Sequence, residues 1–176
     1  MKTILAVVLG TAFAPWASAG CGSMDPPAPA VSFKPAAYSD RGDVSPIAGL
    51  WKFTFVSKGS VGIPDGTMVD AGYTAWHSDG TELMNSGRAP LTGSFCMGVW
   101  AKTGEFTYTL NHYALSWDPT GNVFVGPANI RENITLDYSG TGFTGTFTLV
   151  QSDTHGNTVA TVTGIVTATR VTVDTP

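Results

Sequence analysis

The chain has 176 residues, with 9 Lys or Arg against 13 Asp or Glu, and its formal net charge at pH 7 is −4. It contains no run of basic residues, which excludes the electrostatic footprint of a nucleic-acid-binding protein. Only 12% of the residues are charged while Thr and Gly are abundant, a composition typical of extracellular β-proteins. We therefore expect no nucleic-acid partner.

Residues 1–20 have the pattern of an export signal. A positive start at Lys2 precedes an apolar run over residues 4–16, and Ala17-Ser18-Ala19 is a small-x-small cleavage site. The pattern predicts an exported protein, which is periplasmic, anchored in the outer membrane or secreted.

Cys21 follows this signal and has two interpretations. The small residues before it match a bacterial lipoprotein processing site, although Ser18 stands where such sites usually carry leucine. Alternatively, cleavage after Ala19 leaves Cys21 free to form a disulfide with Cys96, the only other cysteine. A lipid on Cys21 is the one membrane contact that the sequence predicts.

Residues 21–46 are rich in Pro and Ala and contain few large apolar residues. Such a segment buries too little surface to offset the entropy of ordering it, so we expect a semi-extended linker. The remaining residues, 47–176, have the length of a single domain.

Between Trp51 and Arg170, short segments of alternating apolar and polar residues end in glycine-bearing turn signals, and no segment has helical periodicity. The predicted strands are 50–57, 67–77, 81–85, 95–101, 105–117, 129–138, 143–152 and 158–171. Because most connections are short, successive strands should pair, which predicts an all-β, closed, eight-stranded antiparallel up-and-down barrel. The longer connections, 59–66 and 117–127, are expected to line or cover one end of it.

Gly49-Leu50-Trp51 resembles the Gly-x-Trp motif that opens the first strand of lipocalins and other calycins. Arg170 lies where that family places a basic residue over the tryptophan, so the resemblance implies that Trp51 and Arg170 close the barrel floor. Leu136-Asp137-Tyr138 is similar to the family's Thr-Asp-Tyr loop, with leucine in place of threonine, and no helix is predicted after the last strand. A barrel of the allene oxide cyclase and dirigent type has the same strand count and remains an alternative.

Two polar residues are predicted to lie inside the barrel. His112 shares a strand face with Tyr108 and Leu110, and Glu132 shares one with apolar residues of the next strand. Buried together, they could form an acid–base pair, as in isomerases and cyclases built on barrels, or a satisfied structural pair. The opposite orientation of the sixth strand would instead place Arg131 and Asn133 inside.

We therefore expect a barrel that holds a small apolar or amphipathic molecule in its interior, or alternatively an isomerase or cyclase that uses His112 and Glu132 on an apolar substrate. The ligand-binding residues are predicted to be Phe53, Phe55, Tyr73, Tyr108, Leu110, His112, Glu132 and Phe147. No histidine has a second ligand at a familiar spacing, so neither a metal site nor a cofactor is predicted.

Overall fold

A computed structural model describes residues 45–176 of the protein. The predicted export signal, Cys21 and residues 21–44 of the predicted linker lie outside the described residues. The strands are β1 (Gly49–Ser57), β2 (Met68–Trp76), β3 (Thr81–Ser86), β4 (Phe95–Lys102), β5 (Thr107–Trp117), β6 (Phe124–Leu136), β7 (Gly142–Ser152) and β8 (Thr158–Arg170). A single 3₁₀ turn, Pro90–Thr92, precedes β4. Within this part of the chain no helix is long and apolar enough to cross a membrane.

Every strand pairs antiparallel with the next one, and β1 also pairs antiparallel with β8. The sheet therefore closes on itself, which confirms the predicted eight-stranded up-and-down barrel. Alternation along the strands decides which side chains enter the interior: in β1, Trp51, Phe53 and Phe55 are buried while Lys52 is exposed.

The strand bounds agree with the predicted ones to within two residues, except at the start of β6, which is Phe124 and not residue 129. The predicted long connection over residues 117–127 is therefore wrong, because β5 and β6 are joined by a tight turn. In that turn the Asp118 carboxylate accepts hydrogen bonds from the backbone N–H groups of Asn122 and Val123, at 2.9 and 3.0 Å. Gly126, with a φ of 138°, looks like a loop residue in the sequence but lies within the strand.

We call the end of the barrel that contains Trp51 and Arg170 the floor. The guanidinium carbon of Arg170 lies 4.1 Å from the centroid of the Trp51 ring. Arg170 Nε donates a hydrogen bond to the carbonyl of Gly140 at 2.6 Å, and Nη1 donates to the carbonyl of Ala48 at 2.9 Å. Arg170 therefore joins the first strand, the last strand and the β6–β7 turn.

Gly49 allows this close approach. Its φ is 143°, and a Cβ atom at this position would come within 2.5 Å of Arg170 Nη1. The glycine of the Gly-x-Trp motif thus has a physical role in this barrel, because it leaves room for the guanidinium.

Aromatic side chains fill the interior above the floor. Trp51 packs edge-on against Phe143, with ring centroids 5.0 Å apart, and Trp76 packs in the same way against Tyr108 at 6.5 Å. Phe55 stacks on Phe147 at 4.5 Å farther from the floor. The floor half of the interior is consequently a packed core.

Candidate functional site

His112 lies between two buried carboxylates. From β5, its Nδ1 atom is 3.1 Å from Glu82 Oε2 on β3, and its Nε2 atom is 3.6 Å from Glu132 Oε1 on β6. His112 is 0% exposed, Glu82 1% and Glu132 3%. The structure thus brings the two predicted polar residues together inside the barrel and adds a third, and we call this group the Glu82–His112–Glu132 cluster.

Sequence reasoning missed Glu82. The short strand β3 alternates Glu82 and Met84 with Leu83, so its apolar residues fall on both faces and do not indicate which face is buried. The structure places Glu82 inside, where Thr74 Oγ1 donates a hydrogen bond to its Oε1 atom. No local signal in the sequence distinguishes this orientation.

Gly98 on β4 separates Glu82 from His112 and pairs with both of them across the sheet. A Cβ atom on Gly98 would lie 2.4 Å from the Cβ atom of His112 and 2.9 Å from Glu82 Oε2. Because the residue between them has no side chain, the imidazole and the Glu82 carboxylate can meet over it.

The pKa values of His112 and Glu132 are both raised inside the cluster. Burial disfavours the charged imidazolium, but the hydrogen bond to Glu82 and the negative charges of Glu132 and Glu82 outweigh it, so the pKa of His112 is raised above its ordinary 6.5. Burial raises the pKa of Glu132 to about 7, against the opposing effect of His112. Both shifts favour the protonated forms of these two neighbouring groups.

The Nε2 atom of His112 has no hydrogen-bond partner among the described residues, because 3.6 Å to Glu132 is too long for a hydrogen bond. The Glu82 carboxylate fixes the other side of the ring. An imidazole oriented by one carboxylate, with its second nitrogen available, is an arrangement that can exchange protons with a bound molecule.

A cavity lies between this cluster and the end of the barrel opposite the floor, which we call the mouth. We call this cavity the mouth pocket, and its volume is about 50 Å³. Its apolar wall consists of Phe55, Val69, Met84, Cys96, Ala114, Ala128, Ile130 and Leu149, together with the backbone of Gly93. The lining also contains four polar side chains, those of Asp70, Ser86, Arg88 and Ser116.

Residues of the mouth pocket adjoin the cluster directly. Ala114 is the next inward residue of β5 after His112, and Ile130 pairs with His112 across β5 and β6. On the polar side of the lining, Ser86 Oγ donates a hydrogen bond to Asp70 Oδ1 at 2.8 Å and accepts one from the backbone N–H of Arg88 at 3.1 Å. The pocket thus has an apolar wall, a hydrogen-bonded polar side and a titratable layer next to it.

The predicted ligand-binding residues fall into four groups: the mouth pocket, the packed core, the Glu82–His112–Glu132 cluster and the outer surface. Phe55 lines the mouth pocket. Phe53, Leu110, Phe147 and Tyr108 are 1–2% exposed and belong to the packed core, beside the cluster that contains His112 and Glu132.

The prediction that Tyr73 lines the interior is wrong, because Tyr73 lies on the outer surface and is 48% exposed. Its neighbour Thr74 points inward, as does Trp76, and alternation along β2 therefore turns Tyr73 outward. The large aromatic side chain gave a misleading signal, since its size alone does not fix its face.

Cys96 lies inside the barrel, 4% exposed, in the wall of the mouth pocket. Burial raises the pKa of its thiol to about 12, assisted by the negative charge of Glu82. Since Cys21 lies outside the described residues, both interpretations of Cys21 stay predictions.

In residues 45–176, no three His, Cys, Asp or Glu side chains are placed to hold one metal ion. Within the cluster, the two carboxylates lie on opposite sides of the imidazole and do not converge on one nitrogen. No protein-family model matches the sequence, and no curated protein matches it at a significant level. The mouth pocket and the Glu82–His112–Glu132 cluster are the features from which a function can be argued.

Proposed function

We propose that this protein is an exported barrel that binds a small amphipathic molecule at its mouth. The observation that carries the proposal is the mouth pocket, whose lining combines apolar side chains with the polar side chains of Asp70, Ser86 and Arg88. Ligand sites commonly combine apolar walls with a few convergent polar groups in this way. The apolar part of the ligand enters the pocket, and its polar part stays at the mouth.

The size of the pocket limits the ligand. A cavity needs a volume of roughly 10–15 Å³ to hold one water molecule, so the mouth pocket, with about 50 Å³, accepts only a few atoms of a ligand. The packed aromatic core prevents deeper entry without rearrangement. The ligand therefore inserts a narrow apolar end and leaves most of its volume outside the barrel wall.

Two sequence features support the proposed location of the protein and its proposed role in binding a small molecule. The export signal over residues 1–20 directs the barrel out of the cytoplasm, and the barrel binds its ligand there, outside the cytoplasm. The similarity of Gly49-Leu50-Trp51 and Arg170 to the corresponding residues of lipocalins and calycins agrees with a barrel that carries small molecules, and we propose that the chain is related to them.

Native mass spectrometry of the protein purified from its own host tests the proposal. We expect a retained small molecule on the wild-type chain and its loss from Ala114→Leu, which fills the pocket. Ala101→Leu makes the same change on the exposed outer face and should keep the molecule. A wild-type chain that carries no small molecule, or equal retention in both variants, would contradict binding in the mouth pocket.

A second function is favoured by the unpartnered Nε2 atom of His112 next to Glu132, whose pKa is about 7. The pair would move a proton on an apolar substrate, as in an isomerase or a cyclase. The substrate would have to pass between the side chains of Ala114 and Ile130 to reach it. Glu132→Gln separates the two functions. It should leave binding of the retained molecule within a few fold, whereas an acid–base enzyme would lose its turnover.

A further inference from the structure

The outer surface of the barrel carries a large apolar area on one side. It consists of outward side chains of β3, β4 and β5, namely Leu83, Phe95, Met97, Val99, Tyr113 and Leu115, and we call it the apolar outer face. These six residues are between 38% and 61% exposed.

The sheet register makes this face continuous. Leu83 pairs with Met97, and Met97 pairs with Tyr113, so these three residues form one row across β3, β4 and β5. Phe95 and Val99 are the outward residues on either side of Met97 along β4, and Leu115 follows Tyr113 along β5. The exposed side chains therefore adjoin one another and are not scattered singly.

No charged side chain lies among these six positions. The other outward positions of β3, β4 and β5 carry Thr, Asn, Ala and Trp, and the exposed charges that border them are Lys102 at the floor end of β4 and Arg131, which pairs with Asn111 from β6. The outward positions of β7 and β8 are dominated by threonine, including Thr144, Thr146 and Thr148 on β7. The asymmetry distinguishes one apolar side from a hydroxyl-covered one.

The exposed area is large enough for a stable contact. Large side chains have about 150–250 Å² of surface each, so the exposed fractions of the six residues amount to roughly 600 Å². Trp117 follows Leu115 along β5, and Tyr73 lies in the same row as Phe95 with Asn85 between them, so these two exposed residues bring the total to roughly 800 Å². A standard protein interface buries about 800 Å² on each partner, whereas the largest apolar patch on a monomer is usually about 300–600 Å².

The chemistry of this face selects its partner. A face without charges offers nothing to pair with a charged peptide or with anionic headgroups, and it best fits another uncharged apolar sheet of the same extent. A second copy of this chain presents such a sheet at equal concentration, and a twofold axis lets the same residues meet from both sides. Tyr, Phe, Trp and Met are also the residue types enriched at protein interfaces.

We infer that two copies of this protein associate through their apolar outer faces, sheet against sheet, in a twofold-symmetric dimer. Met97 lies in the middle of the central row and is the anchor of the contact. The mouth pocket lies inside the barrel, whereas the dimer contact lies on the outer surface of the sheet. This inference therefore does not depend on the proposed ligand.

Sedimentation equilibrium of the full chain over a range of micromolar concentrations tests the dimer. We expect the wild-type protein to reach twice the mass of its monomer, and Met97→Lys to weaken self-association about tenfold or more. Thr148→Lys adds the same charge to an exposed position on β7 and should leave the dimer intact. Far-ultraviolet circular dichroism establishes that both variants keep the barrel.

Two outcomes would overturn the inference. One is a wild-type chain that stays monomeric at all these concentrations. The other is loss of self-association to the same degree in both variants, which would place the contact elsewhere. A monomeric chain that co-sediments with phosphatidylcholine vesicles, and no longer does so after Met97→Lys, would assign the face to a lipid surface.

Discussion

Arg170 covers the indole of Trp51 and at the same time donates hydrogen bonds to three carbonyl groups of the barrel floor. These contacts connect β8 to the segment before β1 and to the β6–β7 turn. The closure of the barrel therefore has a side-chain component in addition to the backbone pairing of β1 with β8.

Arg170→Met should lower the free energy of unfolding by about 2–3 kcal/mol, because it removes the cation–π contact and the charged donors to three carbonyl groups of the floor. Arg170→Lys should recover little of this loss, since an ammonium group cannot reproduce the planar fork of donors. Urea unfolding followed by tryptophan fluorescence measures both changes. Arg131→Met on the exposed face of β6 is the matched control, and an equal loss there would remove any special role of Arg170.

Stability should depend on pH through the buried cluster. The folded-state pKa values of Glu132 and His112 are raised above those of the unfolded chain, so the folded state binds more protons across this range. The contribution of His112 is complete below its ordinary pKa of 6.5 and is lost as pH rises through the higher folded value. The cost of ionising Glu132 grows between pH 4.5 and about 7, to at most roughly 3 kcal/mol.

The free energy of unfolding should therefore fall as pH rises from about 5 to 8, and Glu132→Gln should flatten much of this slope. Denaturant titrations at several pH values provide the measurement. Glu105→Gln, at an exposed position, should leave the slope unchanged. A wild-type stability that rises over this range would show that Glu132 is ionised at no cost in the folded barrel.

Glu82 should be needed to hold His112. Glu82→Ala leaves a buried imidazole without its hydrogen-bond partner and should cost about 3–5 kcal/mol in the free energy of unfolding. Glu82→Gln keeps the shape, and its amide oxygen can accept a hydrogen bond from His112 while its NH2 group donates to the Thr74 hydroxyl, so it should cost less. It should also lower the pKa of His112 by removing the negative charge. The ring proton resonances of His112 report that pKa, and an unchanged value in Glu82→Gln would mean that the charge of Glu82 has no influence on the ring.

The thiol of Cys96 should resist alkylation in the folded protein, because burial holds it in the neutral form and inside the wall. In a Cys21→Ser background, iodoacetamide at pH 8 should modify Cys96 only after the chain is unfolded in urea. Mass spectrometry over time follows the reaction. Rapid modification without denaturant would show that the mouth pocket opens far more widely than the structure indicates.

The architecture could be predicted because its signals are local. Alternation in segments such as β1, together with glycine turns, specifies strand count, order and the buried faces of Trp51, Phe53 and Phe55. His112 and Glu132 could also be placed, because long apolar sets on β5 and β6 identified the inward faces.

The rest of the site depends on long-range pairing. Glu82 enters the cluster only through the register of β3 with β4, where Gly98 provides the space, and neither strand indicates this alone. The dimensions of the mouth pocket follow from how the inner side chains pack, which alternation cannot report. The start of β6 also depends on long-range pairing. Gly126 and Pro127 have the composition of a loop, but they extend the sheet by pairing with Ser116 and Leu115.

Closure of the barrel also determines how the molecule can be handled. The described chain enters the barrel just before β1 and leaves it just after β8, and both points lie at the floor, beside Trp51 and Arg170. An affinity handle or a sensor-chip linkage joined to the C-terminal residues is therefore directed away from the pocket. Immobilised in this way, the protein would present its opening to the flowing solution, which suits it to screening of compound libraries.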